Sequence, residues 1–371
     1  MRSLRVLHLA ANRWWTGSAD PVITLVRGLR ERGHRVLLGC IRGDRLEATA
    51  RAEGLPLVER LSLDRTAHPF RLARDLAVLR WLIRSERIEI VHTHLSHDHW
   101  LARLARGGAP ARLVRTFHRA AAVKADPLHR WLYRRTDAAI AVAGPIEQRL
   151  AAVFPADRRH RIGGAVDLAR FPPGLDGRAI RAELGLGEAP VVGTVGRLVP
   201  GRGHDLLIEA FARLRGRLPV ARLLIVGKGE GRPGLEAEIR RLGLEDAARF
   251  AGYREADLPA ALAAMDCFVL LGAGSEESCR AALEAMAAGR PVLAARAGAL
   301  PETVVDGETG WLVEGRDPEA VAARIETLLT DPEGARRMGA AGRQRVEAAF
   351  APARQAARVE AIYRDLLGEG R

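Results

Sequence analysis

Two carboxylates flank the start of a short helix that the sequence predicts at residues 280–289, because Glu276 precedes this helix and Glu284 lies inside it. Apart from Arg280 and Glu284 the helix carries only small or apolar residues, and a helix that is apolar all round is buried. A buried carboxylate needs polar partners. Glu284 would find them in the hydroxyl groups of a ribose, or in Arg280 one helical turn earlier. Glu276 would orient the hydroxyl groups of a sugar.

Backbone N–H groups and arginines near these carboxylates suit a phosphate. The N–H groups of residues 278–280 would face an anion at the start of the helix. Arg197 follows a predicted strand at residues 191–195, and Arg202 precedes the next helix. Two guanidinium groups beside a helix N-terminus would bind a diphosphate. The alternative is two solvated arginines, which are common here because 56 of the 58 basic residues are arginine.

Four histidines and one aspartate lie within residues 92–99, at the end of a predicted strand. Such a cluster could hold zinc, but the helical HExxH signature is missing, and we expect no metal. His94 and His118 follow neighbouring predicted strands and would meet at one edge of the sheet. Their imidazoles would form hydrogen bonds with hydroxyls or phosphates, or transfer a proton near neutral pH. The alternative is that each is a structural histidine.

The loop after the first predicted strand is another candidate for ligand contact, because it leads into a helix N-terminus. Gly17 would let a ligand approach the backbone closely. Trp14 and Trp15 are adjacent in this loop, and apolar loop residues of this kind contact a partner or a membrane interface. The alternatives are an ordinary turn and tryptophans that pack under the loop.

Short apolar segments alternate with amphipathic ones along the chain, which predicts parallel sheets joined by helices. Strands are predicted at residues 4–10, 36–38, 88–93, 113–117 and 138–142, and again at 191–195, 223–226, 249–251, 267–271 and 291–294. Asp20 and Asp317 are predicted as N-caps of the helices that follow them. The fold class is therefore α/β, with two doubly wound domains at residues 1–172 and 173–352 and a final helix in residues 353–371.

The charge of the chain is unevenly distributed. The net charge over 371 residues is +13, and residues 1–182 contain 33 Arg and Lys against 17 Asp and Glu. A basic first half indicates an anionic partner, such as a phosphorylated substrate, a membrane surface or a nucleic acid, unless the charge only aids solubility.

Composition excludes several classes of protein. Charged residues at 28% and hydrophobic residues at 48% argue against a disordered chain. No apolar stretch is long enough to span a membrane, and we expect no signal peptide. The three cysteines, Cys40, Cys267 and Cys279, are too few and too far apart for a disulfide framework or a CxxC zinc site. We therefore expect a cytoplasmic protein.

Glu276 and Glu284, separated by seven residues, resemble the EX7E signature of retaining glycosyltransferases of family four. The resemblance covers nearly the whole chain, through motifs at residues 17–18, 30–36, 90–94, 116–118, 161–171, 195–203, 224–229, 250–253 and 306–313. It implies the GT-B fold, in which two Rossmann-like domains face an inter-domain cleft and the C-terminal helix crosses back to the first domain.

The resemblance also implies roles for single residues. Glu284 would bind the donor ribose and Glu276 the transferred sugar, while His118 would lie beside the sugar and the acceptor. We expect His118, Glu276 and Arg197 to be catalytic. The donor set would be Gly17, Arg197, Arg202, Gly252, Tyr253, Glu276, Ser278, Cys279, Arg280 and Glu284, with Gly252 and Tyr253 near the base. The acceptor set would be Trp14, Trp15, His94, His118 and Arg119.

Three departures from the family pattern stand out. Cys279 occupies a position where the family has glycine, and Arg202 replaces a lysine. Residues 163–165 replace the usual Asn-Gly before the linker aspartate. Both glutamates are kept, so we expect activity.

The resemblance therefore implies a retaining glycosyltransferase that uses a UDP- or GDP-sugar and needs no metal or other cofactor. Its acceptor would be anionic or lipid-linked, such as a glycolipid or lipopolysaccharide-core intermediate, with peripheral contact at the inner face of a membrane. Two alternatives stay open: a sugar-nucleotide epimerase of similar fold, and a non-catalytic binder of an anionic ligand or nucleic acid. No nucleic-acid motif occurs and aromatic residues make up 5%, so we expect no nucleic-acid partner.

Overall fold

The computed structural model describes residues 2–12, 19–64, 68–272 and 279–369. These residues form two compact units. The first contains the described residues up to Ala165 together with those from Pro352 onward, and the second contains the described residues between Val166 and Ala351. The domain limits expected near residues 172 and 352 stay predictions.

Each unit is built on one parallel sheet of six strands. The strands are β1 (Arg5–Ala10), β2 (Arg35–Cys40), β3 (Ile90–Thr93), β4 (Arg112–Phe117), β5 (Ala138–Ala141), β6 (Arg159–Arg161), β7 (Val191–Val195), β8 (Arg222–Val226), β9 (Ala248–Gly252), β10 (Cys267–Leu270), β11 (Val292–Ala295) and β12 (Gly310–Val313). The strand order is β2-β1-β3-β4-β5-β6 in the first unit and β12-β11-β10-β7-β8-β9 in the second. The predicted fold class is confirmed.

Helices connect successive strands of each sheet. They are α1 (Ala19–Glu31), α2 (Arg45–Ala52), α3 (Pro69–Ser85), α4 (Ser96–Arg106), α5 (Pro127–Tyr133), α6 (Gly144–Leu150), α7 (Arg178–Glu183), α8 (His204–Arg217), α9 (Arg232–Arg241), α10 (Leu258–Ala263), α11 (Arg280–Ala287), α12 (Leu300–Thr303), α13 (Pro318–Thr330), α14 (Pro332–Ala349) and α15 (Pro352–Leu366). Among the described helices, none is long and apolar enough to cross a bilayer.

The first sheet has a hydrophobic core on each face, because successive side chains of a strand point to opposite sides. Val6 and Ala10 of β1 pack into one core with α1 and α15, whereas Leu7 and Leu9 pack into the other with α3 and α4. Helix α15 crosses α1 at small residues, since a Cβ on Gly28 would lie 2.9 Å from Cβ of Ala356. The C-terminal helix is thereby part of the first unit's core.

The order of strands reverses at one point in each sheet, between β1 and β3 and between β7 and β10. In open parallel sheets ligands bind beyond the carboxyl ends of the strands at such a switch point. His8 of β1 lies directly opposite His92 of β3 in the strand register, so histidines line the switch point of the first unit.

Two details differ from the sequence prediction. Helix α1 already includes Ala19, so Asp20 lies in its first turn and is not the N-cap. The edge strands β6 and β12 were not predicted, and β6, with the sequence Arg-His-Arg, contains no apolar residue that could have indicated it. Asp317 caps α13 as predicted, since its carboxylate accepts from the backbone N–H of Glu319.

Candidate functional site

The loops after β7, β8 and β9 are joined by backbone hydrogen bonds at the carboxyl edge of the second sheet. The Gly196 N–H donates to the Val226 carbonyl (3.0 Å), and the Gly227 N–H donates to the Gly252 carbonyl (2.7 Å). A Cβ on Gly227 would lie 1.8 Å from the Gly196 carbonyl oxygen, so only glycine fits there. These contacts fix the backbone before Arg197, and the Leu198 N–H, which donates to the Lys228 carbonyl (3.0 Å), fixes it after Arg197.

A second close contact holds the start of α8 at the switch point between β7 and β10. Gly203 caps α8 with a φ of 79°, and a Cβ there would lie 2.7 Å from the carbonyl carbon of Leu271. A Cβ on Gly272 would likewise meet the backbone of Arg202 at 2.8 Å. The N-terminus of a 14-residue helix therefore opens at the sheet edge beside Arg202.

The side chains at this rim are exposed and charged. The Arg197 guanidinium pairs with the Glu230 carboxylate at 3.2 Å, and about two thirds of each side chain is exposed to solvent. Tyr253, beside Gly252, is 44% exposed, and the Lys228 ammonium lies 4.7 Å from the centre of its ring. Tyr253 is thus a partly exposed aromatic side chain at this rim, the residue type on which a base can stack.

Helix α11 follows Cys279, whose φ of 51° is left-handed. Arg280 Nε donates to Glu284 Oε1 at 2.8 Å, and the Glu284 side chain is buried. Of the two partners that the sequence allowed for Glu284, the structure contains Arg280. The other residues predicted for this loop, Glu276 and Ser278, lie outside the described residues.

In the first unit, buried polar side chains form a continuous line of hydrogen bonds. Thr116 Oγ1 lies 2.7 Å from His92 Nε2, and His92 Nδ1 lies 2.5 Å from the Tyr363 hydroxyl. That hydroxyl lies 3.3 Å from His8 Nε2, and His8 Nδ1 lies 3.0 Å from His94 Nε2. The line ends at His118, whose Nε2 lies 3.3 Å from His94 Nδ1. We call this set the histidine line.

The histidines of this line are neutral at neutral pH. Burial lowers the pKa of His8 and of His118 to about 3, and it holds the pKa of His92 and of His94 well below the usual value. His118 Nδ1 is buried and has no hydrogen-bond partner among the described residues. A neutral His118 favours hydrogen bonding over proton transfer, of the two kinds of chemistry that the sequence allowed.

His118 borders a small cleft that lies within the first unit. His94, Thr116 and Gln355 also line it, and Gln355 Oε1 is buried without a partner among the described residues. The loop before α4 is held by Asp98, whose carboxylate accepts from the N–H groups of His94 and Leu95. Burial raises the pKa of Asp98 to about 6.

Three histidines of the line come close enough to be considered as metal ligands. The ligand atoms of His8, His92 and His94 lie within 4.8 Å of one another. Both ring nitrogens of each already have a hydrogen-bond partner, so the set offers no free lone pair for an ion. We assign no metal to it.

The other predicted acceptor residues divide into two groups. Trp14 and Trp15 lie outside the described residues, as does Gly17 of the donor set, whereas Arg119 is exposed beside His118. Sequence reasoning missed His8 and Tyr363. His8 could have been found as a histidine within an apolar strand, but nothing in the sequence near Tyr363 connects it to the histidines.

The basic surface around β4 is smaller than its sequence suggests. Arg115 is 2% exposed, because it lies on the buried strand β4, and burial lowers its pKa to about 10. Arg106 and Arg112 are paired with Asp137. The basic side chains of this region that remain exposed include Arg119, Lys124, Arg134 and Arg135.

Comparison with known families divides the chain close to the boundary between the two compact units, which lies between Ala165 and Val166. Residues 16–170 match the family described as Glycosyltransferase Family 4, and residues 176–345 match the family described as Glycosyl transferases group 1.

Two curated relatives are enzymes that act on inositol derivatives. The chain is 37% identical over 257 residues to a GDP-mannose-dependent alpha-(1-6)-phosphatidylinositol monomannoside mannosyltransferase of Mycolicibacterium smegmatis, a match of 66% of this chain and 67% of the relative. It is 35% identical over 298 residues to a D-inositol 3-phosphate glycosyltransferase of Segniliparus rotundus, covering 71% of this chain and 64% of that one.

Solved structures share the fold over its full length. A glycosyltransferase of Rickettsia africae has a TM-score of 0.87 at 20% identity, covering 99% of both chains. Anabaena HepE, in a crystal with UDP and glucose, has a TM-score of 0.81 at 21% identity, covering 97% of this chain and 99% of that one.

Proposed function

The chain belongs to glycosyltransferase family 4, and from this premise we propose that it transfers a hexose from a nucleotide-diphosphate sugar, with retention, to a phosphorylated inositol acceptor. GDP is the nucleotide proposed, because the mannosyltransferase relative is named as GDP-mannose-dependent. The phosphate of the acceptor is proposed because both curated relatives are named for inositol derivatives that carry one.

One observation carries the donor side of this proposal. Glu284 is a buried carboxylate on α11, held by Arg280. A carboxylate fixed in this way is suited to accept hydrogen bonds from the two hydroxyls of a ribose. The exposed guanidinium of Arg197 and the α8 N-terminus beside Arg202 would neutralise the diphosphate, which is a role that a metal has in other enzymes.

The reaction would proceed on one face of the sugar. The bond between the anomeric carbon and the diphosphate oxygen breaks, and a bond from that carbon to the acceptor oxygen forms on the same face. The proton of the acceptor hydroxyl passes to the leaving phosphate, and the nucleoside diphosphate departs. A neutral His118 would hold a hydroxyl of the transferred sugar or the acceptor by a hydrogen bond, while Glu276 would orient the sugar.

The surface of the first unit supports an acceptor that is presented by a lipid. On α4 and α5, Leu104, Leu128 and Trp131 are large apolar side chains with exposures of 42%, 61% and 44%. The Arg103 guanidinium lies 4.6 Å from the centre of the Trp131 ring, and Arg134 is exposed close by in sequence. Apolar side chains among arginines suit peripheral contact with an anionic membrane.

The test is transfer by the purified chain from GDP-mannose or UDP-glucose to D-inositol 3-phosphate or to phosphatidylinositol vesicles, with and without EDTA. We expect a product with one donor, unaffected by EDTA, and NMR of its anomeric proton should show retention. Glu284→Ala should abolish transfer, whereas Glu333→Ala, a change at an exposed glutamate of α14, should not. A changed sugar nucleotide without any acceptor would instead indicate an epimerase.

A further inference from the structure

The six residues of the histidine line impose a single direction on their hydrogen bonds. A neutral imidazole has one N–H donor and one acceptor nitrogen. The Tyr363 hydroxyl could accept from both His92 and His8, but its own buried proton would then be unpaired, so the favoured arrangement is that it donates to one histidine and accepts from the other. The direction of the first hydrogen bond at Thr116 therefore fixes the tautomer of every histidine up to His118. All five hydrogen bonds must run towards His118, or all must run away from it.

Counting unpaired groups distinguishes these two directions. If the bonds run towards His118, the Thr116 hydroxyl donates its proton to His92, and the unpaired group is the Nδ1–H of His118. If they run the other way, the Thr116 proton has no acceptor among the described residues, and the His118 Nδ1 lone pair is unpaired as well. Two unpaired buried groups cost more than one, so the first direction is favoured.

The cleft beside His118 agrees with this direction. Gln355 Oε1 already supplies an unpaired acceptor among the residues that line the cleft. An Nδ1–H at His118 would supply a donor. A ligand hydroxyl could then donate to Gln355 and accept from His118, which satisfies both buried atoms.

We propose that Tyr363, on the C-terminal helix, is a positioning residue that holds His118 in the Nδ1–H tautomer through His8 and His94, so that His118 donates a hydrogen bond to the substrate. Tyr363 is fully buried on α15, and its hydroxyl is the link between His92 and His8. The role of His118 towards a substrate rests on the proposed function, whereas its tautomer rests only on the fold.

The decisive measurement is the tautomer of His118, read from long-range proton–nitrogen NMR spectra of protein labelled with ¹⁵N-histidine. Wild type should show a protonated Nδ1 and an unprotonated Nε2 at His118, a signal that His118→Gln assigns by its loss. In Tyr363→Phe the link to Thr116 is cut, and His118 should become a mixture of both tautomers. Tyr133→Phe, which removes another buried hydroxyl of the same unit, should leave the spectrum as in wild type.

A second break in the line keeps the proposal testable if Tyr363→Phe does not fold. Thr116→Val removes the first donor and should give the same mixture at His118, whereas Thr116→Ser should restore the wild-type spectrum. In the transferase assay, Tyr363→Phe should lower kcat about tenfold with KM for the nucleotide sugar unchanged.

Three results would overturn the proposal. They are a protonated Nε2 at His118 in wild type, an unchanged His118 spectrum in both Tyr363→Phe and Thr116→Val, and stoichiometric metal bound at His8, His92 and His94. If no transfer occurs with any donor but the tautomers change as expected, the proposed function fails and the positioning role of Tyr363 stands.

Discussion

Gly203 and Leu271 are packed so closely that a Cβ on Gly203 would lie 2.7 Å from the Leu271 carbonyl carbon. The contact sets where α8 begins at the switch point of the second sheet. Gly203→Ala should destabilise the protein by about 3 kcal/mol, because a strained φ and a backbone clash add together. Gly201→Ala is the matched control, since its φ of 78° is equally strained but nothing lies within 4 Å. In urea unfolding, Gly201→Ala should lower the free energy of unfolding by only about 1 kcal/mol.

Glu284 should contribute more to nucleotide binding than its partner Arg280 does. Glu284→Ala removes a charged hydrogen-bond acceptor, and it should therefore weaken the binding of GDP about 10- to 100-fold, as measured by calorimetry. Arg280→Met leaves the carboxylate in place and should weaken binding less. Equal losses in the two variants would mean that Glu284 serves only the ion pair within α11.

If Arg197 binds the diphosphate, as the proposed function requires, Glu230 should compete with that diphosphate for Arg197. Because both side chains are mostly exposed, Glu230→Gln should change the free energy of unfolding by less than about 0.5 kcal/mol. It should tighten nucleoside diphosphate binding by up to about fivefold, since Arg197 loses a carboxylate partner. Glu326→Gln, which removes the ion pair with Arg217, should leave Kd unchanged. Weaker binding in Glu230→Gln would exclude competition at Arg197.

Stability should fall steeply as the pH drops below about 6.5. His8 and His118 have a pKa of about 3 when folded, whereas unfolded histidines take up protons near pH 6.5, so acid favours the unfolded chain. Each such histidine contributes about 1.4 kcal/mol per pH unit in that window. Asp98, with a folded pKa of about 6, opposes the trend between pH 6 and 4.

The measurement is urea unfolding at several pH values between 7.5 and 5. His99→Gln should make the free energy of unfolding less dependent on pH, by about the contribution of one histidine, because burial also holds the pKa of His99 well below its usual value. A free energy of unfolding that is constant from pH 7 to 5 would contradict neutral buried histidines.

Cys279 carries backbone strain that glycine would relieve. Its φ of 51° is left-handed, and Cys279→Gly should be more stable than Cys279→Ala by about 1 kcal/mol, since both lose the sulfur but only glycine tolerates this φ. At Ala282, inside α11, alanine should be the more stable residue, and Ala282→Gly should lower the free energy of unfolding by about 1 kcal/mol. Thermal unfolding of the three variants measures both differences. Equal stability of the two Cys279 variants would show that the strain is absent.

Local patterns determined most of the fold. The strands β1, β4, β7 and β8 were predicted to within one or two residues, because a strand that is buried on both faces is a short run of mostly apolar residues, and such a run depends only on neighbouring residues. The cap at Asp317 and the pair between Arg280 and Glu284 were predictable for the same reason, as each joins residues within one helical turn.

The tertiary structure decided the contacts between distant segments. Tyr363 reaches His92 across 271 residues, and Arg115 is buried although it is charged, because β4 is covered on both faces. No local pattern shows which helix returns to a sheet or which polar side chain it covers. That depends on how whole elements pack, since burial of a polar group is favourable only where another element supplies its hydrogen-bond partner.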